Sequence, residues 1–445
     1  MSDAAMRDVF FRVFDNLCGT LRGSERLRAE YAGEDSDFVR LNGARIRQAG
    51  HVRQAAVVLE LVDGQRHAAA ECNLTGEMDR DVAQLCDLLV GLRERLPLLP
   101  DDPHMLLPEG VADSEDLAED RLPPAAEAVD ALLTAAAGLD LVGIHAQGAI
   151  HRGYAGSTGL RHWYRSHSFA TDFCLYHRAD KAVKTTYAGF DFDRDELRGR
   201  LAQARERLDI LARPARRIEP GSYRVYLAPA AMAEILGLLC WDGFGVRAQR
   251  AHSSPLHRLV QSEEALHPSV DLDEHAAGGL APRFSEAGFP RPARVPLIRG
   301  GRHAGALVSP RSAREFELQA NGCDSEESPS SLEMAGGSLS RADVLGALDT
   351  GVWISNLWYT NFSDRTACRI TGMTRFATCW VQDGRVVAPL DVMRFDETLY
   401  RMLGSQLEAL TVEQDFLPST DTYYRRSTDS VRVPGALLKG FEFTL

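Results

Sequence analysis

The stretch at residues 351–398 constrains the fold most, because it combines dense β-forming residues with regularly placed turns. Three of its runs are rich in β-branched and aromatic side chains, at 352–359, 368–373 and 376–382. Such side chains favour a pleated, partly buried surface. Asp383-Gly384 follows the third run and predicts a hairpin into a short fourth strand at Val386-Val387. This part of the chain is therefore predicted to be rich in β-structure.

Elsewhere the sequence switches between helical and strand-like patterns. Apolar residues recur at helical spacing within 4–31, 79–96, 125–137 and 193–212. Strand-like runs occupy 37–74, predicted as four short strands, and 139–188. No regular strand–helix–strand alternation is present, which indicates an α+β fold. We expect two domains, with a mixed helix and antiparallel-strand domain at 1–220 and a β-rich domain at 221–445.

The second domain also contains predicted helices. A short strand at 223–228 leads into an apolar helix that begins at Pro229, a residue favoured in the first turn of helices. Further helices are predicted at 340–348, where Ser340 opens a capping-box-like sequence, and at 399–410. The last residues predict a pair of strands.

Composition excludes several classes of partner. The 445 residues carry 50 Lys and Arg against 63 Asp and Glu, a formal net charge of −13, which disfavours nucleic acid and anionic membranes. No apolar run approaches the roughly 18 residues of a membrane span, and acidic residues interrupt the apolar N-terminus, unlike in a signal peptide. The eight cysteines form no CxxC pair, which is typical of free thiols in a reducing compartment. The sequence predicts a soluble cytoplasmic protein without nucleic-acid or membrane partners.

Candidate metal ligands are few. Zinc peptidases commonly place two histidines one helical turn apart, and none of the thirteen histidines is three or four residues from another. A local alternative is the segment HPSVDLDEH, where His267, Asp271 and His275 could bind a cation in a loop. The competing interpretation is a solvated charged loop.

Nucleophiles and phosphate-binding motifs give no catalytic assignment. Ser157 lies in AGSTG, a variant of the nucleophile elbow, but the next run is strand-like, so a hairpin turn is predicted. Cys368 and Cys379 lie in apolar runs without a neighbouring base and are predicted to be buried, inert thiols. The sequence contains neither a P-loop nor a dinucleotide-binding glycine motif. No catalytic residue is assigned.

Aromatic and arginine residues are concentrated in the 351–398 stretch. Trp358, Tyr359, Arg375 and Arg394 are the candidates for contact with a peptide or a partner subunit, since aromatic residues and arginine are enriched at interfaces. The alternative is that the aromatic side chains belong to the core while the arginines cap turns or pair with acids.

Several motifs together carry a resemblance to a known family: GVWISNLWYTNF, TGMTRFATCWVQDGRVVAPL, MRFDETLYRML and VRVPGALLKGFEF. The sequence resembles the TldD/PmbA (TldE) family, known as modulators of gyrase. The resemblance is specific after about residue 328 and looser before it. It implies two-domain α+β subunits that dimerise around an internal cavity and cleave unfolded peptides with zinc.

One departure from the family pattern decides which branch the resemblance favours. The TldD branch carries a His-Glu-x-x-x-His zinc motif on the helix after a YRVYLAP-type strand, whereas here this helix reads AAMAEILGLLCW, with Glu234 as its only acid and no histidine. The family's C-terminal cysteine ligand also has no counterpart within 380–445. The resemblance thus implies a PmbA/TldE-like, non-catalytic subunit without its own metal or cofactor.

The implied assembly places zinc in a TldD-like protease subunit that pairs with this chain and acts on unfolded peptides. Two alternatives stay open. One is a self-sufficient metallopeptidase with a rearranged site at His267, Asp271 and His275. The other is a homodimer that binds peptide without hydrolysis.

Overall fold

A computed structural model describes residues 3–110, 112–178 and 181–444. The first half contains four helices and seven strands: α1 (Asp3–Cys18), β1 (Arg26–Asn42), β2 (Arg45–Asp63), β3 (Arg66–Asn73), α2 (Met78–Arg95), β4 (Ser114–Leu117), α3 (Ala125–Ala135), β5 (Asp140–Gly156), β6 (Arg161–Arg178), β7 (Lys181–Gly189) and α4 (Arg194–Leu211). A short 3-10 turn (Leu96–Leu98) follows α2.

The second half begins with β8 (Gly221–Leu227) and α5 (Pro229–Leu239). Its other elements are α6 (Val246–Arg250), α7 (His257–Val260), β9 (Leu272–Glu274), β10 (Val295–Arg299), β11 (Arg302–His303), α8 (Pro310–Phe316), β12 (Ser331–Met334), α9 (Val344–Leu348), β13 (Gly351–Asp364), β14 (Arg369–Gln382), β15 (Arg385–Pro389), β16 (Arg394–Thr398), β17 (Leu407–Pro418) and β18 (Ser430–Phe443). Two 3-10 turns (Ala276–Gly278 and Arg341–Asp343) and a π-helical turn (Arg401–Ser405) complete the half.

Each half forms its own sheet. The seven strands of the first sheet follow the order β3-β2-β1-β5-β6, and both β4 and β7 pair with β6. The pairs are antiparallel except β4 with β6. The eleven strands of the second sheet centre on β18, which pairs with β8, β12, β16 and β17. This architecture confirms the predicted α+β class with two domains.

Helices cover the sheets because each has an apolar stripe. α1 and α2 bury Phe10, Phe14 and Leu89 against Leu59 and Trp163 of the first sheet. α5 is apolar nearly all round and packs Met232, Ile235 and Leu236 into the core of the second sheet. A helix that is hydrophobic on every side is buried in this way because no side of it favours water.

The two halves share one hydrophobic core. α4 contributes Leu201 and Leu208, the first sheet Phe173, and the second sheet Tyr226 and Trp353 to a single cluster of buried side chains. The segment 419–429 also joins the halves, because it runs from β17 across the first sheet. There Arg426 is 7% exposed, and its guanidinium donates to the carbonyl and hydroxyl oxygens of Ser168 at 3.0 and 2.8 Å.

Several boundaries differ from the prediction. The first helix ends at Cys18 rather than 31, and β1 begins at Arg26. Region 37–74 contains parts of three strands rather than four short ones, since residues 45–63 form one uninterrupted β2 along β1. The predicted runs 368–373 and 376–382 are one strand, β14, with an irregularity opposite Ser355.

The C-terminal prediction also needs correction. The helix expected at 399–410 is only a π-helical turn, and β17 begins at Leu407 because Leu407 and Leu410 are buried against β18. The expected final pair of strands is the single strand β18. None of the helices in the described ranges combines the length and hydropathy of a membrane-spanning helix.

Candidate functional site

Three strands position the predicted contact residues. Trp358 on β13 lies opposite Met373 on β14, and Met373 lies opposite Arg394 on β16. Directly paired residues share one face of a sheet, so Trp358 and Arg394 project from the same side. Arg375 is two residues beyond Met373 on β14 and joins them there, because side chains alternate with a period of two.

Trp358, Tyr359 and Arg375 form a compact surface cluster, called here the aromatic–arginine patch. The Arg375 guanidinium carbon lies 4.4 Å from the centroid of the Trp358 ring. The rings of Trp358 and Tyr359 meet edge to face with their centroids 5.1 Å apart. A cation–π contact at an exposed site contributes about 0.5–1 kcal/mol, so the stack favours this arrangement of the patch before anything binds.

The patch is open to solvent. Trp358 is 44% exposed and Tyr359 is 73% exposed, although neighbours in a regular strand point to opposite faces. Tyr359 has a φ of +55° at a register shift between Trp358 and Asn361. This bulge turns Tyr359 outward beside Trp358, as bulges commonly re-aim side chains.

Arg394 does not join the stack. Its guanidinium Nε lies 3.4 Å from the Thr371 hydroxyl, and its backbone carbonyl accepts a hydrogen bond from Thr444. The structure therefore brings together Trp358, Tyr359 and Arg375, with Arg394 on the same face as a separate exposed cation.

Charged residues of the first sheet lie near the patch. Burial raises the pKa of Cys174 on β6 to about 11, although the positive charges of Lys184 and Arg375 oppose that shift. Lys184 pairs with Asp172 at 3.2 Å and also opposes the rise that partial burial causes in the pKa of Glu234 on α5. Arg375 of the patch and Lys184 of the first sheet therefore act electrostatically on groups across the junction of the two sheets.

Helix α5 occupies the position at which the resemblance implies a zinc motif, so its side chains test whether the metal fits. Met232, Ile235 and Leu236 are fully buried in the core, and Glu234 is the only acid in the helix. Zinc sites use Cys, His and carboxylate ligands, usually four including water. The residues of α5 do not fit such a site.

The alternative metal site at 267–275 is not assembled. His267 is half-buried and its Nδ1 lies 2.8 Å from the Ser269 hydroxyl, whereas Asp271 accepts a hydrogen bond from the Gly300 amide at 2.6 Å. The Nδ1 of His275 is 2.8 Å from a Glu333 carboxylate oxygen. Across the residues that the structure describes, no group of three or more His, Cys, Asp or Glu side chains could hold a metal ion.

The other nucleophile candidates have structural roles. Ser157 lies in the turn between β5 and β6, and its hydroxyl accepts a hydrogen bond from the Leu27 amide at 3.0 Å, which confirms the predicted hairpin turn. Cys368 and Cys379 are buried, and desolvation raises the pKa of each to about 12. Thiols with such pKa values are poor nucleophiles at neutral pH.

Sequence reasoning missed a charged cavity of about 400 Å³ between the first sheet and loops of the second half. Arg28 pairs with Glu60, and His67 lies between Glu60 and Asp102, at 2.7 and 3.4 Å. Burial favours a higher pKa for Glu60, but the hydrogen bonds from His67 and Arg28 outweigh it and lower the pKa to about 2. Asp102 continues the network by pairing with Arg311.

The Glu30 carboxyl, also in this cavity, has no hydrogen bond or ion pair with the residues that the structure describes. Burial and the negative charge of Glu286 raise the pKa of Glu30 to about 7, while Arg152 opposes the shift. The only sequence signal was the charged residues on β1 and β2 that share a face, Arg28 opposite Glu60. The other walls of the cavity include residues some 250 positions further along the chain. No local sequence pattern reveals that these distant residues meet β1 and β2.

Comparison with models of protein families shows which family the chain belongs to. The model described as the PmbA/TldA metallopeptidase C-terminal domain matches residues 220–445. The chain belongs to the PmbA/TldD family. This membership confirms the resemblance of the sequence motifs, and it assigns a metallopeptidase-related domain to the second half. No curated protein matches the sequence.

Solved structures share the whole fold of this PmbA/TldD family member. TldE from Thermococcus kodakarensis superposes with a TM-score of 0.77 at 14% identity, covering 99% of this chain and 100% of that one. A protein described as a modulator of a DNA gyrase from Thermotoga maritima gives 0.76 at 12% identity, with the same coverage. Another, from Bacteroides thetaiotaomicron, gives 0.75 at 14% identity and covers 100% of this chain and 99% of that one.

Proposed function

We propose that this PmbA/TldD family member is a non-catalytic, TldE-like cytoplasmic subunit. It pairs with a TldD-like zinc peptidase, which supplies the metal and its activated water, while this chain contributes surface for an unfolded peptide. The observation that carries the proposal is the side-chain set of α5, where the family's zinc ligands are replaced by buried apolar residues and Glu234.

The aromatic–arginine patch supports a role in polypeptide contact. Exposed Trp and Tyr rings offer apolar area with few rotatable bonds, and such anchors dominate many interfaces. Arg375 stacks on Trp358 and keeps its donors available for backbone carbonyls or carboxylates. Unfolded peptides present apolar side chains together with unpaired carbonyls, so the patch matches both features.

The first test is reconstitution with a TldD-like peptidase from the same genome. We expect the lone chain to bind no stoichiometric zinc and to leave a labelled unfolded polypeptide uncut. The co-purified pair should contain zinc and cleave it in a chelator-sensitive reaction. Stoichiometric zinc together with hydrolysis by the lone chain would refute the proposal. A stable homodimer that ignores the peptidase would favour a peptide-binding protein instead.

The second test addresses the patch in that complex. Trp358→Ala should weaken binding of the unfolded polypeptide at least about tenfold, the usual loss when an aromatic anchor is truncated. Trp241→Ala is the matched control, because Trp241 is 65% exposed and lies beyond the end of α5. Dissociation of the complex by Trp358→Ala would instead assign the patch to the subunit interface. Equal effects of both substitutions would exclude a role for the patch.

A further inference from the structure

The strand β2 has a free edge over half its length. β1 pairs with β2 from Arg45 to Asp63, but β3 covers only residues 56–63 on the other side. Within the described ranges, residues 48–54 have no strand partner on that side. Most of these residues are exposed, so solvent reaches the edge as well as the side chains.

The direction of the free main-chain groups follows from one hydrogen bond. The Ala55 carbonyl accepts from the Leu74 amide at 2.9 Å, so the main-chain groups of Ala55 point toward the β3 side. The β1–β2 register is unbroken from 48 to 63. Main-chain groups alternate sides along a strand, which directs the amides and carbonyls of Ala49, His51 and Arg53 to the same open edge.

Exposed strand edges are templates for pairing with another chain, and proteins often protect them with charges and bulges. Here the bulge lies between Arg40 and Leu41, where Arg47 is the extra residue of β2. Arg40, Arg45 and Arg47 are exposed, and the described part of the chain offers their side chains no hydrogen-bond or ion-pair partner. His51 and Arg53 are already paired with Asp35 and Asp37.

The arginines therefore create a local positive charge on a chain whose net charge is −13. Two copies pairing antiparallel through residues 48–54 would place their arginine clusters at opposite ends of the ladder, where neither cluster meets an opposite charge. A strand with carboxylates would instead gain attraction from the arginines as well as main-chain hydrogen bonds.

We propose that the free edge of β2, residues 48–54, binds an extended acidic segment of another polypeptide by strand addition. Main-chain hydrogen bonds to Ala49, His51 and Arg53 supply the pairing, and the unpaired arginines select for acidic side chains. The edge lies on the side of the first sheet opposite β7, away from the aromatic–arginine patch. The inference is independent of the proposed pairing with a peptidase.

Fluorescence anisotropy with the full chain and a labelled peptide of alternating Glu and Val tests this. We expect saturable binding that weakens with salt. A peptide with the same sequence and N-methyl groups on alternate amides keeps its charge but loses strand hydrogen bonds, and it should bind at least tenfold more weakly. A Lys–Val peptide should show no saturable binding.

Protein variants complete the test. Arg45→Glu/Arg47→Glu should reduce affinity at least tenfold, whereas the charge-matched Arg205→Glu/Arg217→Glu, on exposed arginines of α4 and the segment that follows it, should leave it unchanged. Equal binding of the N-methylated and unmodified peptides would overturn strand addition. Equal losses in the two double variants would overturn selection by the arginines. A homodimer that His51→Pro dissociates would place a second copy on the edge and overturn the proposal.

Discussion

Arg426 links the two halves, and its replacement gives a prediction whose size follows from the contacts. The guanidinium donates to Ser168 at 2.8 and 3.0 Å, and makes two longer contacts, to the Gly148 carbonyl at 3.3 Å and the Ser36 hydroxyl at 3.4 Å. The Arg426 amide donates to a Glu34 carboxylate oxygen at 3.1 Å. We expect Arg426→Ala to detach the segment 419–429 from the first sheet.

The free-energy cost of Arg426→Ala is the difference between two opposing effects, lost hydrogen bonds and relieved desolvation. Two well-formed hydrogen bonds from a charged donor contribute about 3–6 kcal/mol together. Burial lowers the pKa of Arg426 to about 10, which corresponds to about 3 kcal/mol that the protonated side chain loses on leaving water. The net cost of Arg426→Ala is then about 1.5 kcal/mol, or about a tenfold larger open fraction of the segment.

Hydrogen exchange measured by mass spectrometry on fragments covering 419–429 checks this value, because the Arg426 amide is protected only while the segment is docked on Glu34. Arg425→Ala is the matched control, since Arg425 makes one ion pair, to Glu71, at 3.5 Å, and exposed pairs contribute about 0–1 kcal/mol. Exchange in Arg426→Ala within twofold of that in Arg425→Ala would refute the reasoning.

Two further predictions concern the first sheet and α4. The hydrogen bond to Glu60 raises the pKa of His67 although burial opposes it, so the stabilising contribution of His67 is complete below its unfolded pKa of about 6.5 and declines as pH rises through the higher folded value. Denaturant unfolding should show that the difference in unfolding free energy between the wild type and His67→Gln narrows as the pH rises above about 6.5, and a widening difference would contradict this. A Cβ on Gly148 would lie 2.2 Å from the Asp35 carbonyl oxygen, at a φ of +140°, so Gly148→Ala should lower the free energy of unfolding by about 3 kcal/mol. Gly199 lies in open space within α4. Gly199→Ala should therefore raise the free energy of unfolding by about 0.5–1 kcal/mol. Equal unfolding midpoints for the two alanine variants would rule out the steric argument.

The sequence was informative where a pattern had one interpretation. Strands β13 to β15 were predictable because β-branched and aromatic residues bracket Asp383-Gly384, which allows a tight turn and little else. The segment 399–410 was ambiguous, since its leucines fit both a helix and a buried strand. Pairing of Leu407 and Leu410 with β18 resolved the ambiguity, and that contact is invisible to local reasoning.

The candidate site shows the same division. Trp358, Tyr359 and Arg375 could be selected from the sequence because they lie within twenty residues of one another. The bulge that turns Tyr359 outward could not be predicted, because no glycine or proline marks it. The charged cavity could not be predicted from the sequence for a different reason. Part of its wall comes from loops that only the complete fold brings together.

The core shared by α4 and both sheets also limits how this protein can move. A hinge between halves requires an interface that water can enter at low cost, whereas opening this one would expose large side chains such as Phe173, Tyr226 and Trp353. The junction beside the aromatic–arginine patch therefore keeps a fixed width. A polypeptide bound there as proposed would adapt its own shape to the protein, so that ordering of the polypeptide, rather than closure of the domains, would limit binding.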